Sequence, residues 1–368
     1  MNYYQIKREL VISLLGCLLL LSVGCAKMNS QPTRNITDML GRKVKVPQKI
    51  ERVVAVGPGS LRLLTQMQAV DKVVGVEEAE KRENWGGPYN LAHPELQELP
   101  VVGPPHGGEA ELIVAQNPDL IFFYGDAGAA KSLEQKTGIP VVGIKYVDLG
   151  PSREKYLYQS WRLIGKLLNK TERAEELINY TEQLITDLND RTKNASQSVK
   201  KKVYAGGISY HGSHGIVSTK VPFPPFEFLN LDYFSEQKQV KQVSSVMISK
   251  EKLVNWDPAV IFVDEMNLNL VQQDLEKNAE YQTISAVQQN QIYGLLPYSF
   301  YHRNPSTILA NSYYMGKIIY PQQFKDINPA AKAEQIYQKF VGAQVYDELA
   351  AEYGGFKKLN LELNVNKR

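Results

Sequence analysis

Cysteine is nearly missing from this chain: there are two in 368 residues, Cys17 and Cys25, both close to the N-terminus. That excludes a disulfide-held fold, a thiol nucleophile in the body of the chain and a Cys-based metal site. A chain this long can build its core without covalent staples. Charge of one sign is missing too, since Lys plus Arg number 42 against 39 for Asp plus Glu. So even a balance excludes the basic footprint of a nucleic-acid-binding protein and a polybasic membrane surface. Histidine is scarce, at five, and no HExxH motif is present. A nucleophile elbow, a phosphate-cradling glycine loop ahead of a Lys and a clustered acid/base motif are likewise missing. Gly57-Pro58-Gly59-Ser60 lacks the Lys that such a loop needs. These absences count against a chelatase-like enzyme and leave a binding, scaffolding or sensing role open. Long apolar runs are rare as well. The uncharged stretch Leu10–Leu21 is shorter than the ~20 residues that span a bilayer.

What is present begins with that stretch. Lys7 and Arg8 precede it and small residues follow it, the layout of a secretory signal over residues 1–24. An uncleaved membrane anchor is the alternative. Leu21-Ser22-Val23-Gly24-Cys25 resembles a bacterial lipobox, with Ser22 where Leu is usual, and implies a lipid on Cys25. Choosing Cys17 would leave an apolar core of only about six residues, below the usual range. Residues 25–35 read as a polar tether. The expected location is the extracytoplasmic face of the cell membrane, at the cell surface or in the periplasm.

Beyond the tether the length suits two domains. Ile36–Val46 reads as a β-hairpin turning at Leu40-Gly41, and Arg52–Val56 as a buried strand. The Gly57–Ser60 turn and the helix Leu61–Met67 follow. Lys72–Val76, Leu120–Tyr124 and Val141–Ile144 read as further strands, so α/β layers with mostly parallel sheets are expected. From Thr171 to about Lys193 there is neither Gly nor Pro, and apolar residues recur at three- and four-residue intervals. That predicts a long helix with Thr171 as its N-cap. It could join two lobes or lie on a surface; the pattern fits both. Strands are expected again at Val203–Ile208, Val260–Asp264 and Gln291–Leu295, with helices from about Ile308 to Tyr353. Residues 111–123 (ELIVAQNPDLIFF) and 251–263 (EKLVNWDPAVIFV) echo one another, each with a Glu, a Pro seven residues later and an apolar strand. Two lobes of one design are the reading: residues 36–168, an interlobe helix at 169–195, and residues 196–368 carrying the C-terminal helices.

An ordered set of segments resembles the ABC-importer substrate-binding proteins for iron–siderophore, haem and cobalamin, the class with a helical backbone between its lobes. The set is ITDMLGRKVKVP with RVVAVGPGS, EAELIVAQNPDLIFF, TERAEELINYTEQL, GIVST with PPFEFLNL, and SKEKLVNWDPAVIFV, running from Ile36 to Leu361. The resemblance implies two α/β lobes joined by a long rigid helix, with the cargo in the cleft opposite it. It implies that Glu111 and Glu251 dock to arginines of the two permease subunits, which an ATPase drives. Charge-assisted Arg–carboxylate pairs orient such docking. An acid early in a helix also complements the helix dipole. No intrinsic cofactor is implied, only a cargo: a ferric chelate, haem, cobalamin, or a nickel or other metal complex. A monomer without nucleic-acid partners is expected, and only modest closure of the lobes.

Loops at the carboxyl ends of parallel strands are where α/β folds bind ligands. They hold Ser60, Trp85, His106, Tyr124, Tyr210, His211, His214, Tyr298, Tyr301, His302 and Arg303, the candidate cargo contacts. Imidazole is a common metal ligand, so His211 or His214 with Tyr301 are candidate ligands to a metal within its chelate. Arg303 would neutralise carboxylate or catecholate charge. Loop histidines also serve as plain hydrogen-bonding groups, and a wrapped chelate would need aromatic walls such as Tyr89, Phe223 and Phe300 instead. The residues leave those two readings open.

Overall fold

The computed structural model describes residues 31–82, 87–145, 149–150, 154–195, 201–209, 212–233, 244–299 and 301–361. The signal, Cys25, Trp85, Tyr210, His211 and Phe300 lie outside them. The expected hairpin is present as β1 (Thr33–Thr37) against β2 (Lys43–Pro47), antiparallel with Ile36 opposite Val44. Asp38 ties it down: its buried carboxylate accepts from the amides of Leu40, Arg42 and Gly143 and pairs with the Arg42 guanidinium.

Two three-stranded parallel sheets form the framework. In the first, β4 (Leu120–Tyr124) lies between β3 (Val53–Val56) and β5 (Val141–Ile144). In the second, β9 (Val260–Asp264) lies between β6 (Val203–Gly206) and β10 (Ile292–Leu295). Strands covered on both faces need apolar residues at every position, and β3, β4, β5, β6 and β9 are buried almost throughout. The internal echo maps onto this topology. In each half a short helix, α3 (Ala110–Ala115) or α8 (Lys250–Trp256), feeds through a Pro-containing turn into the central strand.

Three expectations need correcting. Lys72–Val76 is not a strand: Val70–Lys72 forms a 3-10 turn, and only isolated bridges from Val73 to Val53 and from Val76 to Val101 remain. With a single bridge on each side this segment extends the sheet without joining its ladder. The strand expected at Val203–Ile208 stops at Gly206, because Gly207 turns to positive φ. Thr171 is the first residue of the long helix rather than its cap, which is Lys170.

That long helix, α6 (Thr171–Thr192), has 22 residues and so extends about 33 Å. Its apolar face (Ala174, Leu177, Ile178, Leu184, Leu188) packs on α5 (Glu154–Leu167) of the first half and on α7 (Pro224–Phe228) and α11 (Pro305–Ile319) of the second. One apolar core runs continuously from the first sheet through α5 and α6 to the second, and separate clusters line the outer face of each sheet. The chain then returns. Helix α12 (Pro329–Val341) packs on α1 (Ser60–Gln66) and α2 (Pro88–Ala92) of the first half, with Phe340 edge-on to Trp161 and His93 bonded to the Val341 carbonyl.

Candidate functional site

The carboxyl end of β3 makes a turn that only glycine permits. Gly57 has φ +93, and a Cβ there would collide with the carbonyl oxygen of Tyr124, the last residue of β4. The two strand ends are thereby drawn together. Ser60 opens α1 just beyond, wholly buried, with its hydroxyl donating to the Val56 carbonyl at 2.9 Å. Two residues on, Arg62 is buried as well. It donates to the backbone carbonyl of Arg303 at 2.8 Å, its guanidinium lies 4.8 Å from the Tyr89 ring, and the Glu80 carboxylate faces it.

From the second half, the loop after β10 reaches across to meet these groups. Its turn is strained, with Tyr301 at φ 36 and His302 at φ 99. Non-glycine residues adopt such conformations only where their surroundings over-determine them. Here the surroundings do so. The Tyr301 hydroxyl accepts from the His106 amide at 2.7 Å and donates to Glu77 at 3.0 Å, and the His106 and Tyr301 rings meet edge to face at 5.3 Å. The half-buried His302 ring stands edge-on to Tyr124 at 5.4 Å. Asn304, buried at the start of α11, donates its side-chain amide to the Tyr298 carbonyl. Tyr298 lies buried beside Phe223 and beneath Lys220, whose ammonium is 5.3 Å from its ring. Lys220 is itself buried on β7 (Ser218–Val221).

The electrostatics of this cluster are uneven. Crowding by protein holds His302 well below the usual imidazole range, and the nearby charges of Arg303, Arg62 and Lys220 push it further the same way. His302 is therefore neutral at pH 7. Burial pushes Glu77 up to about 7, against the opposing pull of the Gly57 and Gly107 amides and the Tyr301 hydroxyl. Burial also raises Glu80, partly offset by Tyr89 and Arg62. Burial, and then the Glu77 carboxylate, raises the Tyr301 phenol, so that it keeps its proton. A phenol so held is poorly suited to ligate ferric iron as phenolate. Among the described residues no group of three His, Cys, Asp or Glu could hold a metal ion.

The structure thus brings His106, Tyr124, Tyr298, Tyr301, His302 and Arg303 into one cross-strand cluster. Ser60 lies at its floor with its hydroxyl turned to its own strand, and His214 is half-buried in the loop that leads into β7. Arg62, Glu77, Glu80 and Lys220 escaped sequence reasoning: Arg62 and Lys220 each carried a signal, a lone charge in an uncharged stretch that a core would otherwise claim, whereas Glu77 and Glu80 sit in the charged run EEAEKRE and carried none. Away from the cluster, Glu111 and Glu251 are each the exposed second residue of their helix, α3 and α8.

Two parallel sheets whose strand-end loops meet in one cluster, with a long helix packed on both halves, form the architecture of a solute-binding protein. Residues 53–298 match the model of the periplasmic binding protein family, and the chain belongs to that family. It is the extracytoplasmic substrate-binding component of an ABC transporter and not an enzyme. Its role requires no intrinsic cofactor. Among its relatives, the molybdate-binding protein MolA of Haemophilus influenzae is 25% identical over 346 residues, 89% of this chain and 95% of that protein. The structure of MolA bound to molybdate superposes with a TM-score of 0.66 at 24% identity, covering 84% of this chain and 98% of that one. YvrC of Bacillus subtilis, an uncharacterized ABC transporter substrate-binding lipoprotein, is 21% identical over 294 residues, 79% of this chain and 87% of YvrC. Helicobacter pylori CeuE in a complex with nickel and histidine matches in fold, with a TM-score of 0.59 at 19% identity over 88% of this chain and 99% of CeuE.

Proposed function

We propose that the cleft captures an anionic cargo, and that a compact oxyanion of the molybdate class fits it best. The observation that carries this reading is the gathering of Arg62, Lys220 and Arg303 around the neutral ring of His302. Of the two buried acids nearby, Glu80 faces Arg62, and burial pushes Glu77 up to about 7. Guanidinium and ammonium donors suit tetrahedral oxyanions. The close packing of Tyr298, Tyr301 and Asn304 favours a small guest over a macrocycle. The cargo that MolA is named for agrees with this. A second reading, a ferric chelate bearing carboxylates or catecholates, uses the same cations and is favoured by the aromatic walls Tyr124 and Tyr298. In that reading His211 and His214 remain candidate ligands to the chelated metal.

Titration calorimetry with molybdate, tungstate, sulfate, a ferric catecholate, haem and cobalamin tests both. Binding of an oxyanion is expected, weakened at least tenfold by Lys220→Gln. Heat only with the ferric catecholate selects the second reading. Heat only with haem or cobalamin overturns the anionic assignment.

The rest of the reading follows the same role. Glu111 and Glu251 dock to the permease, a lipid on Cys25 anchors the chain as in the lipoprotein YvrC, and the protein acts as a monomer. The N-terminal lobe spans 36–168 and the C-terminal lobe 196–368, joined by the helix within 169–195. Glu111→Ala combined with Glu251→Ala should leave cargo affinity intact and abolish uptake. Normal uptake by the double variant counts against docking through these acids.

A further inference from the structure

We infer that the two docking faces are chemically unequal, and that the α3 face supplies most of the hold on the permease while the α8 face mainly sets orientation. This rests on the docking reading above. Five large apolar side chains are exposed among the described residues, and four of them flank the two helices that carry Glu111 and Glu251. Leu112 (39% exposed) and Val114 (46%) project from α3 itself, and Val101 (37%) lies beside it, where the Glu109 amide donates to the Val102 carbonyl at 2.8 Å. Soluble proteins tolerate scattered apolar residues, but a cluster rimmed by charge marks an interaction surface. Both exposed acids at the start of this helix, Glu109 and Glu111, are negative and no base accompanies them within the helix.

The α8 face differs. Among the described residues its one exposed large apolar side chain is Met247 (57%), just before the Ser249 cap. Here Glu251 sits between Lys250 and Lys252, and Lys250 pairs with Glu280. Its own backbone amide and the Ser249 hydroxyl, and after them Lys250, hold the Glu251 carboxyl below its ordinary range. A permease arginine approaching Glu251 meets Lys252 and a Lys250 already paired with Glu280, whereas one approaching Glu111 meets two carboxylates with no base in their helix and an apolar collar that excludes water. Charged pairs gain strength as their surroundings are desolvated, and rim charges contribute little. The α3 face therefore fits a basic, apolar-rimmed socket, and the α8 face a weaker, more salt-sensitive contact.

The test uses the host's permease–ATPase complex in lipid nanodiscs, with ATP hydrolysis titrated by the cargo-loaded binding protein. Leu112→Ser with Val114→Ser should raise the half-stimulating concentration about tenfold, while Met247→Ser should change it less than twofold. The Glu111→Ala variant should lose more than Glu251→Ala. Unchanged cargo affinity and circular dichroism certify that each variant is folded. Equal losses on the two faces, or a larger one on the α8 face, overturn the inequality. If the glutamate variants weaken stimulation but the apolar ones do not, this inference fails and the docking reading stands. If none of the variants has any effect, the docking reading itself falls.

Discussion

Glu77 is a carboxyl whose proton is poised near neutrality, and its linkage to folding has a definite sign. In the unfolded chain it ionises near its ordinary 4.5, and in the fold near 7. Between those values the folded protein holds a proton that the unfolded chain has lost. Stability from this group is therefore full below pH 4.5, declines as pH rises to about 7 and is level above it. Glu77→Gln removes the titration while keeping an acceptor for Tyr301. Urea unfolding at pH 4.5 and pH 8 should show wild type losing about 1–3 kcal/mol more than the variant over that interval. An identical pH dependence in both would mean that Glu77 ionises as it does in water. At the same scale, Arg62 and Lys220 show what the sequence concealed. Each looks like a stray charge in a buried helix or strand, and only the arrival of the loop after β10 turns it into part of a site. Tyr301, His302 and Arg303 were legible as candidates because a Tyr-His-Arg run puts hydrogen-bonding and charged groups in a strand-end loop, where α/β folds bind ligands. Which groups would meet them was not legible, since the contacts span some 200 residues of chain.

Elements were read more faithfully than single contacts. The central strands β4 and β9 announced themselves through the Glu–helix–Pro–strand echo, because a buried parallel strand must be apolar at every position. Lys72–Val76 was apolar enough to mislead, and the difference lay in partners: a strand needs a neighbour along its whole edge, and this segment finds one only at its ends. The hairpin β1–β2 was visible, but its attachment was not. Asp38 fastens it to β5 through the Gly143 amide at 3.0 Å while also holding Arg42. Asp38→Ala should cost about 2 kcal/mol, since it leaves the buried Gly143 amide without its acceptor and removes one of the two carboxylates that hold Arg42, Glu134 remaining. Guanidinium chloride unfolding measures this, and a loss below 1 kcal/mol would show the hairpin to be loosely attached. Gly57→Ala should also be costly, at about 1–3 kcal/mol, because both its positive φ and its contact with Tyr124 oppose a side chain.

Across the whole molecule the continuous core matters most. A protein whose lobes meet only through a linker can swing on binding, whereas here apolar packing runs from one sheet through α5 and α6 to the other. Opening the halves widely would break that core, and burial at about 25 cal/mol per Å² makes such a motion costly. Small-angle scattering with and without saturating cargo should therefore differ in radius of gyration by less than about 1 Å, within the 13–20 Å scale expected for domains of this kind. A larger contraction would mean that the halves hinge independently.

The return of α12 to the first half carries a consequence for biogenesis. One wall of the amino-terminal half, where Phe340 meets Trp161 and Arg173 reaches the Lys339 carbonyl, is built from a stretch that follows the whole second sheet in the chain. A polypeptide emerging amino end first through a secretion pore cannot close that half until residues 329–341 have followed. Nascent chains stalled short of residue 329 should accordingly stay protease-sensitive throughout, the leading half included.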